Sequence, residues 1–295
     1  MAFGIITGAI ITGSFAERIK FSVALVFVGF WTLLVYVPTA HWLWAEGGWL
    51  AEDGVLDYAG GTVIHINAGM AGLVAALFVG KRLGYGRDMM APFNLTLTLV
   101  GCALLWVGWF GFNAGSALEA SGRATLALAT TQISASVGAL VWLLCEIFSR
   151  QKPSALGLAS GVVAGLVGIT PVAGFIEPQS AVFIGAITSV ICYFAVTKLK
   201  YRLGYDDSLD AFGIHAVGGI AGAVLTGIFV SPIVAGEIVG DIVWVQVESV
   251  LITVIYSGVV SAAILWVMSR FMSLRVGADE ERQGLDLVCH GERIE

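Results

Sequence analysis

Charge is what this sequence has least of. Only 12% of its 295 residues are Asp, Glu, Lys or Arg, about half the roughly 25% usual in a soluble domain. With 58% hydrophobic residues and a mean hydropathy of +0.89, that scarcity excludes a soluble enzyme of one or two domains and points to an integral membrane protein. Paired cysteine spacing is also missing. Cys102, Cys145, Cys192 and Cys289 share no motif, and three of them fall inside apolar runs. They read as free thiols, with neither a disulfide framework nor a zinc site. No phosphate-binding loop, metal-ligand cluster or nucleophile triad is present. Enzymatic chemistry, cofactors, bound metal and nucleic-acid partners are therefore not expected. The apolar runs do not alternate with polar residues, which excludes a transmembrane β-barrel.

What is present is a series of apolar segments and 38 glycines, a count suited to tightly packed membrane helices. The segments predict helices over 2–16, 22–45, 59–80, 93–117, 122–149, 154–174, 179–200, 209–232 and 244–273. All but the first approach or exceed the ~20 residues that cross a bilayer core. The expected fold class is all-α and polytopic. Of the 15 Lys and Arg, all but Arg123 fall in alternate loops or at one end: Arg18, Lys20, Lys81, Arg82, Arg87, Arg150, Lys152, Lys198, Lys200, Arg202, Arg270, Arg275, Arg282 and Arg293. The positive-inside rule places that set in the cytoplasm. The opposite loops carry Glu46, Glu52, Asp53, Glu119, Glu177, Glu237 and Asp241, an acidic face that raises the local concentration of cations or simply solubilises the loops.

Histidine is scarce too, at four, and two lie in corresponding places. The stretches "HINAGMAGLV" from His65 and "HAVGGIAGAV" from His215 share H-x-x-x-G-x-A-G-x-V, and each follows an acidic residue, Asp57 and Asp210. Four predicted spans separate the two helices, so the repeat unit is five helices. An odd unit places its copies in opposite orientations, and such inverted repeats put the substrate site near the midplane. Each histidine sits about six residues into its helix from opposite faces. At ~1.5 Å per residue each is ~9 Å deep, with an axial separation on the order of 10 Å that tilt would reduce. Either imidazole alone could merely hydrogen-bond a neighbouring helix; as a symmetric pair in the bilayer interior they point to function. The same count expects about two and a half further helices before residue 1, so that Met1 falls inside a span and the chain is a truncated frame or fragment.

These residues, with "FAERIKF" (15–21), "DYAGGTVIHINAG" (57–69), "WFGFNAGSA" (109–117), "GLVGITPVAGFI" (165–176), "DAFGIHAVGGIAG" (210–222) and "RQGLDLVCHGE" (282–292), resemble the ammonium transporter family (Amt/Mep, distantly Rh) along essentially the whole chain. The resemblance implies eleven spans, as two inverted five-helix repeats plus a final helix, of which about nine are expected here, from part of the third onward. It implies a transmembrane domain over 1–275, a cytoplasmic regulatory tail over 276–295, a homotrimer in the cell membrane, and PII signal proteins as partners at the cytoplasmic face. The family's paired pore histidines match His65 and His215. Its outer recruitment site matches Trp44 and Ser116, its stacked gate Phe112 and Phe3, and its buried aspartate below that site Asp57. A further outer aromatic of the family would precede Met1. In the tail, Gly284, Leu285, Asp286, His290 and Gly291 match.

The residue types suit the implied chemistry. Ammonium gives up tightly held water to enter a pore; an indole face offers cation–π attraction and a hydroxyl accepts a hydrogen bond. Trp44, Ser116, Phe112 and Asp57 would form that vestibule, with Asp57 acting through its field or by capping the helix that follows. Phe3 and Phe112 would exclude hydrated ions. Removal from water favours the neutral form of a cationic acid, so ammonium would release its proton near the gate and ammonia would pass the histidines, one imidazole donating to the other. Potassium has no proton to release. The expected function is thus ammonium transport for nitrogen uptake; an Rh-like neutral gas channel, a non-transporting sensor and an inactive fragment are the alternatives. Trp44 with Ser116 favours a cation over a gas.

Overall fold

The computed structural model describes residues 1–150, 152–236 and 240–292. Glu237, Arg293 and the Arg150 side chain lie outside the described residues. The apolar runs fold as helices because a chain in lipid must satisfy its backbone groups internally. In chain order they are α1 (Ala2–Thr12), α2 (Phe21–Glu52, interrupted by a turn after Trp44), α3 (Gly61–Val79), α4 (Leu95–Gly115), α5 (Gly122–Ser149), α6 (Ala155–Ile169), α7 (Pro178–Leu203), α8 (Phe212–Phe229) and α9 (Ile242–Phe271). A short α10 (Ala278–Gln283) follows. Among the described residues, seven helices are long and apolar enough to cross a membrane. The remaining two expected spans are shorter, α1 at 11 residues and α6 at 15. The protein is a multi-pass all-α membrane protein.

Two of the departures from regular helix, in α6 and α2, have a proline behind them. The run expected over 154–174 stops at Ile169 because Pro171 has no N–H to extend the ladder. The carbonyls freed there are not wasted: Ala59 N–H donates to Thr170 O at 3.1 Å and Tyr58 N–H to Pro171 O at 2.9 Å. In α2, Pro38 follows a π-helical turn over Thr32–Tyr36. Leu34 O, four residues ahead of Pro38, is taken by the Tyr256 hydroxyl of α9 at 2.7 Å. Irregular backbone at membrane depth survives where neighbours repair it.

Helix contacts run through small residues, which let backbones approach closely. Ser134 of α5 donates to Gly165 O of α6 at 2.7 Å, and Ser189 of α7 to Gly138 O of α5 at 2.8 Å. A second core joins α1, α2, α3 and α9 around Phe15, Phe27, Trp31 and Leu265, with the Trp31 indole donating to Ser261 at 3.0 Å. Leu104 and Val107 of α4 project outward, as residues facing acyl chains do. The two histidine helices, α3 and α8, are the most enclosed of the seven spans.

Candidate substrate pore

Helices α3 and α8 begin alike. Before α3 the largely buried segment 55–60 is non-helical, and Gly60 turns the chain with φ +102°, a conformation that costs glycine least. Asp57 Oδ2 then accepts from the N–H groups of Thr62 and Val63 at 3.0 and 2.9 Å, capping the helix start. Before α8, Asp207 Oδ2 accepts from Phe212 N–H at 2.7 Å. Each helix opens with a π-helical turn, Gly61–Ile66 and Phe212–Ala216, that carries its histidine. The acidic counterpart of Asp57 is therefore Asp207 and not Asp210, as the sequence reading had it. Asp57 and Asp207 both stand eight residues ahead of a histidine, whereas Asp210 occupies the position of Gly60. Asp210 shares its positive φ, at 58°, and pairs with Lys200 at 2.7 Å. Burial pushes the Asp57 carboxyl up to about 6 although backbone N–H groups oppose the shift; burial also raises Asp207.

The two helices cross with the start of each against the body of the other. A Cβ at Gly69 would come closer than 3.0 Å to Ala216, and one at Gly219 closer than 3.0 Å to Gly61 O, with Ile66 N at 3.2 Å. Gly69 and Gly219 are each four residues past a histidine, and Ala216 and Ile66 each one past. The inverted repeat is thus closed at its axis by glycine. There the imidazoles meet: His65 Nδ1 lies 3.1 Å from His215 Nδ1, with ring centroids 5.2 Å apart and planes 16° from parallel. That is far closer than the axial estimate from helix starts. Both helices begin beneath buried loops, so residues counted from a helix start understate depth. His65 is 3% exposed and His215 half-buried.

Toward the end of α3 that carries Asp57, the aromatic residues stack. Phe3 lies 5.3 Å from Phe112, with planes 26° apart, and 5.3 Å from Trp44. The Trp44 indole donates to Asp57 O at 2.7 Å. Asp57 thus holds Trp44 through its carbonyl and caps α3 through its carboxylate, while its Oδ1 has no partner among the described residues. Ser116 ends α4, and its hydroxyl donates to Phe112 O at 2.8 Å, which leaves its oxygen free to accept. Sequence reasoning assigned no role to Trp109. Its ring stacks on His65 at 5.1 Å and 10°, and its N–H donates to Thr170 at 2.9 Å. The signal was available, since Trp109 precedes Phe112 by three residues and shares its helix face. Between Phe112 and His65, lined also by Ile6, Ile64, Leu105, Trp109 and Thr170, is a cavity with about 10 Å³ open to a water-sized molecule, about the least that holds one.

Below the other end, the basic residues assigned to one side gather. Arg82 pairs with Asp206 at 2.8 Å and with Glu17. Burial raises the Asp206 carboxyl, but Arg82 and Arg18 more than offset it and hold the group below the usual range. Arg275 pairs with Glu281 of α10 at 2.7 Å and donates to Val79 O at 3.2 Å. Past α10, Gly284 has φ +92°, Asp286 opens a helical turn, and His290 packs edge-on against Phe21 at 5.4 Å. Among the described residues no three His, Cys, Asp or Glu side chains converge as a metal site.

An all-α membrane fold with inverted histidine helices crossing at its centre, under a stacked aromatic entrance, is the architecture of a membrane transport protein. The profile of the Ammonium Transporter Family matches residues 1–294, and the chain belongs to that family. It is similar to the ammonium transporter of Aquifex aeolicus, 49% identical over 99% of this chain and 69% of that protein, and to that of Bacillus subtilis, 45% identical over 99% and 74%. Among solved structures, Saccharomyces cerevisiae Mep2 superposes with a TM-score of 0.88 at 38% identity, covering 94% of this chain and 65% of that one. A sensor Amt protein superposes with a TM-score of 0.92 at 29% identity, covering 98% and 75%.

Proposed function

We propose that the chain moves ammonium across the membrane, recruiting the cation at its aromatic mouth and passing ammonia along the histidine pair. The observation that carries this reading is the 3.1 Å contact between His65 and His215 beneath a cavity fit for one water-sized molecule. A hydrated cation does not fit there, and a desolvated one would lose its water against apolar walls. Trp44 offers a π-face to the cation, Ser116 accepts from it, and the buried Asp57 adds a negative field. Phe3 and Phe112 close the mouth, and ammonium gives up its proton just beneath them to an unprotonated imidazole nitrogen of the histidine pair, because removal from water disfavours the charged form. Ammonia crosses as a donor and acceptor matched to imidazole edges and to the Trp109–Thr170 pair. The proton travels separately, along the contact between the imidazoles. Residues 1–275 form the pore domain and 276–295 a cytoplasmic tail that engages PII proteins, in a homotrimer of the cell membrane.

The test is uptake by proteoliposomes containing the full chain, with current recorded. Ammonium should give saturable uptake and an inward current, and potassium neither. Uptake without charge overturns separate proton passage; binding without uptake overturns transport. The latter result would favour a second reading, a non-transporting sensor of the same cation, which the likeness to the sensor Amt protein supports.

A further inference from the structure

The loops that precede the two histidine helices are tethered at equivalent positions by chemically different side chains. Leu56 and Asp206 each stand nine residues ahead of a histidine. Before α3, the Gln246 side chain of α9 meets Leu56 as a second peptide would: Leu56 N–H donates to Oε1 at 2.9 Å, and Nε2 donates to Leu56 O at 2.8 Å. The remaining Nε2 hydrogen reaches Ala223 O of α8 at 3.2 Å. Before α8, the Arg18 guanidinium donates to Asp206 O, to Ser208 Oγ at 2.7 Å, and to Gly80 O, just past α3, at 2.7 Å. Each tether holds the loop of one histidine helix to the backbone of the other. Gln246 and Arg18 are both fully buried, so neither tether competes with water.

We infer that Gln246 is a positioning residue of the pore, fixing the loop that carries Asp57 and Trp44's acceptor against α8, and that it must be neutral because it lies beside the cation's path. The segment 55–60 is largely buried, non-helical backbone, with Leu56 and Tyr58 half-buried, and its amides need partners. Tyr58 and Ala59 find theirs in the turn after α6; Leu56 finds both of its partners in Gln246. One residue on, Asp57 O receives the Trp44 indole and Asp57 Oδ2 caps α3. A shift of Leu56 therefore moves the vestibule and the start of the His65 helix together. A primary amide alone supplies this donor–acceptor pair without charge. A carboxylate would keep the acceptor and lose both donated bonds. A guanidinium, as used at the other loop, would set a positive charge next to Asp57 and cancel its attraction for a cation.

The consequence for uptake rests on the transport reading above; the geometric claim does not. The experiment compares Gln246→Leu, Gln246→Glu and Gln246→Asn with the parent chain in proteoliposomes. Hydrogen–deuterium exchange is read on peptides covering 53–64 and, as a reference, 155–169. Loss of the paired bonds should speed exchange over 53–64 by about tenfold or more in the Leu variant, the effect of about 1.4 kcal/mol, with 155–169 unchanged. The ammonium concentration at half-maximal uptake should rise by about the same factor while the maximal rate per folded protein falls less. Gln246→Asn should recover neither, because its shorter amide cannot span Leu56 and Ala223 together. Parent-like exchange over 53–64 in the Leu and Glu variants overturns the inference whatever the transport result. A fall in maximal rate at unchanged half-saturation overturns it too, since that marks loss of folded protein rather than a displaced vestibule. Absence of uptake by the parent chain overturns the transport reading alone, and exchange then decides the tether by itself.

Discussion

The approaches to α3 and α8 repeat each other in backbone and differ in charge. Both have a buried loop, a left-handed residue five positions ahead of a histidine, an aspartate cap and a π-helical first turn. At one approach the loop is held by a neutral amide and crowned by Phe3, Trp44 and Phe112. At the other it is held by a guanidinium within a lattice of Arg82, Asp206, Lys200 and Asp210. The shared geometry is what brings two imidazoles to one axis; the unshared chemistry makes one approach neutral and the other an ion-paired lattice. The first approach leaves the buried Asp57 without an ion-pair partner among the described residues. An end that anchors loops and tail can neutralise its carboxylates with arginine.

The largest break in this comparison should come from Arg18→Met. Removing the guanidinium breaks three charge-assisted hydrogen bonds, to Asp206 O, Ser208 Oγ and Gly80 O, and should cost more than about 3 kcal/mol of stability, read as thermal unfolding of the purified protein, against about 1–3 kcal/mol for the neutral bonds lost in Gln246→Leu. Equal losses would mean that the charge of the tether does not matter. Next are the twin crossings. Gly69→Val and Gly219→Val should each cost about 3 kcal/mol through overpacking at the axis and should separate the imidazoles, seen as lost ammonium uptake. One tolerated substitution beside one ruinous one would break the equivalence of the two helices.

A smaller effect distinguishes the ends by pH. The Asp57 carboxyl sits near 6 when folded and about 3.9 when unfolded. The folded state therefore holds this proton more tightly, and the group's contribution worsens by about 2 kcal/mol as pH rises from about 4 to about 7 and is level above that. Asp206 has the opposite sign: Arg82 holds it low, so its contribution is present at neutral pH and lost as pH falls through its folded value. Asp57→Asn, which keeps an oxygen for the α3 cap, should remove the first dependence and leave the second. Unchanged pH dependence in that variant would show that Asp57 does not titrate in this range. Smallest is Arg275→Ala. Its partly exposed pair with Glu281 should contribute about 1 kcal/mol or less, so unfolding should scarcely change while hydrogen exchange over 278–290 rises. A stability loss as large as that of Arg18→Met would place the tail inside the anchoring lattice.

Much of this was written in residue type and spacing. Nine apolar runs mark where the helices are, and the echo of His65 at His215 reveals the inverted repeat. The first glycine of the shared pattern, Gly69 in one copy and Gly219 in the other, is the one at the crossing. The loops were less legible. Asp210 lies nearer its histidine than Asp207 does and draws the eye first; only counting back eight residues from each histidine pairs Asp207 with Asp57 and leaves Asp210 in the place of Gly60. Gln246 and Arg18 act across 190 and 188 residues of chain, a separation that no local pattern encodes. Helix α6 ends early, ahead of Pro171, a stop visible in the sequence, but the donors from Tyr58 and Ala59 that take up the carbonyls there come from another segment. Trp109 was hidden in plain view, since an aromatic on a helix face looks the same whether it packs a core or floors a pore.

The contact between the imidazoles has one more consequence. A hydrogen bond between two Nδ1 atoms needs one proton, and that proton belongs to one ring or the other. The backbone around the axis is nearly two-fold, but a single hydrogen cannot be. While both rings are neutral, one histidine is the giver and its mirror the taker, and their outward Nε2 atoms are opposite in kind, one bare and one protonated. The histidine pair therefore has a head and a tail even where the fold has none, and reversing that polarity takes no more than the transfer of one proton at each of the three positions.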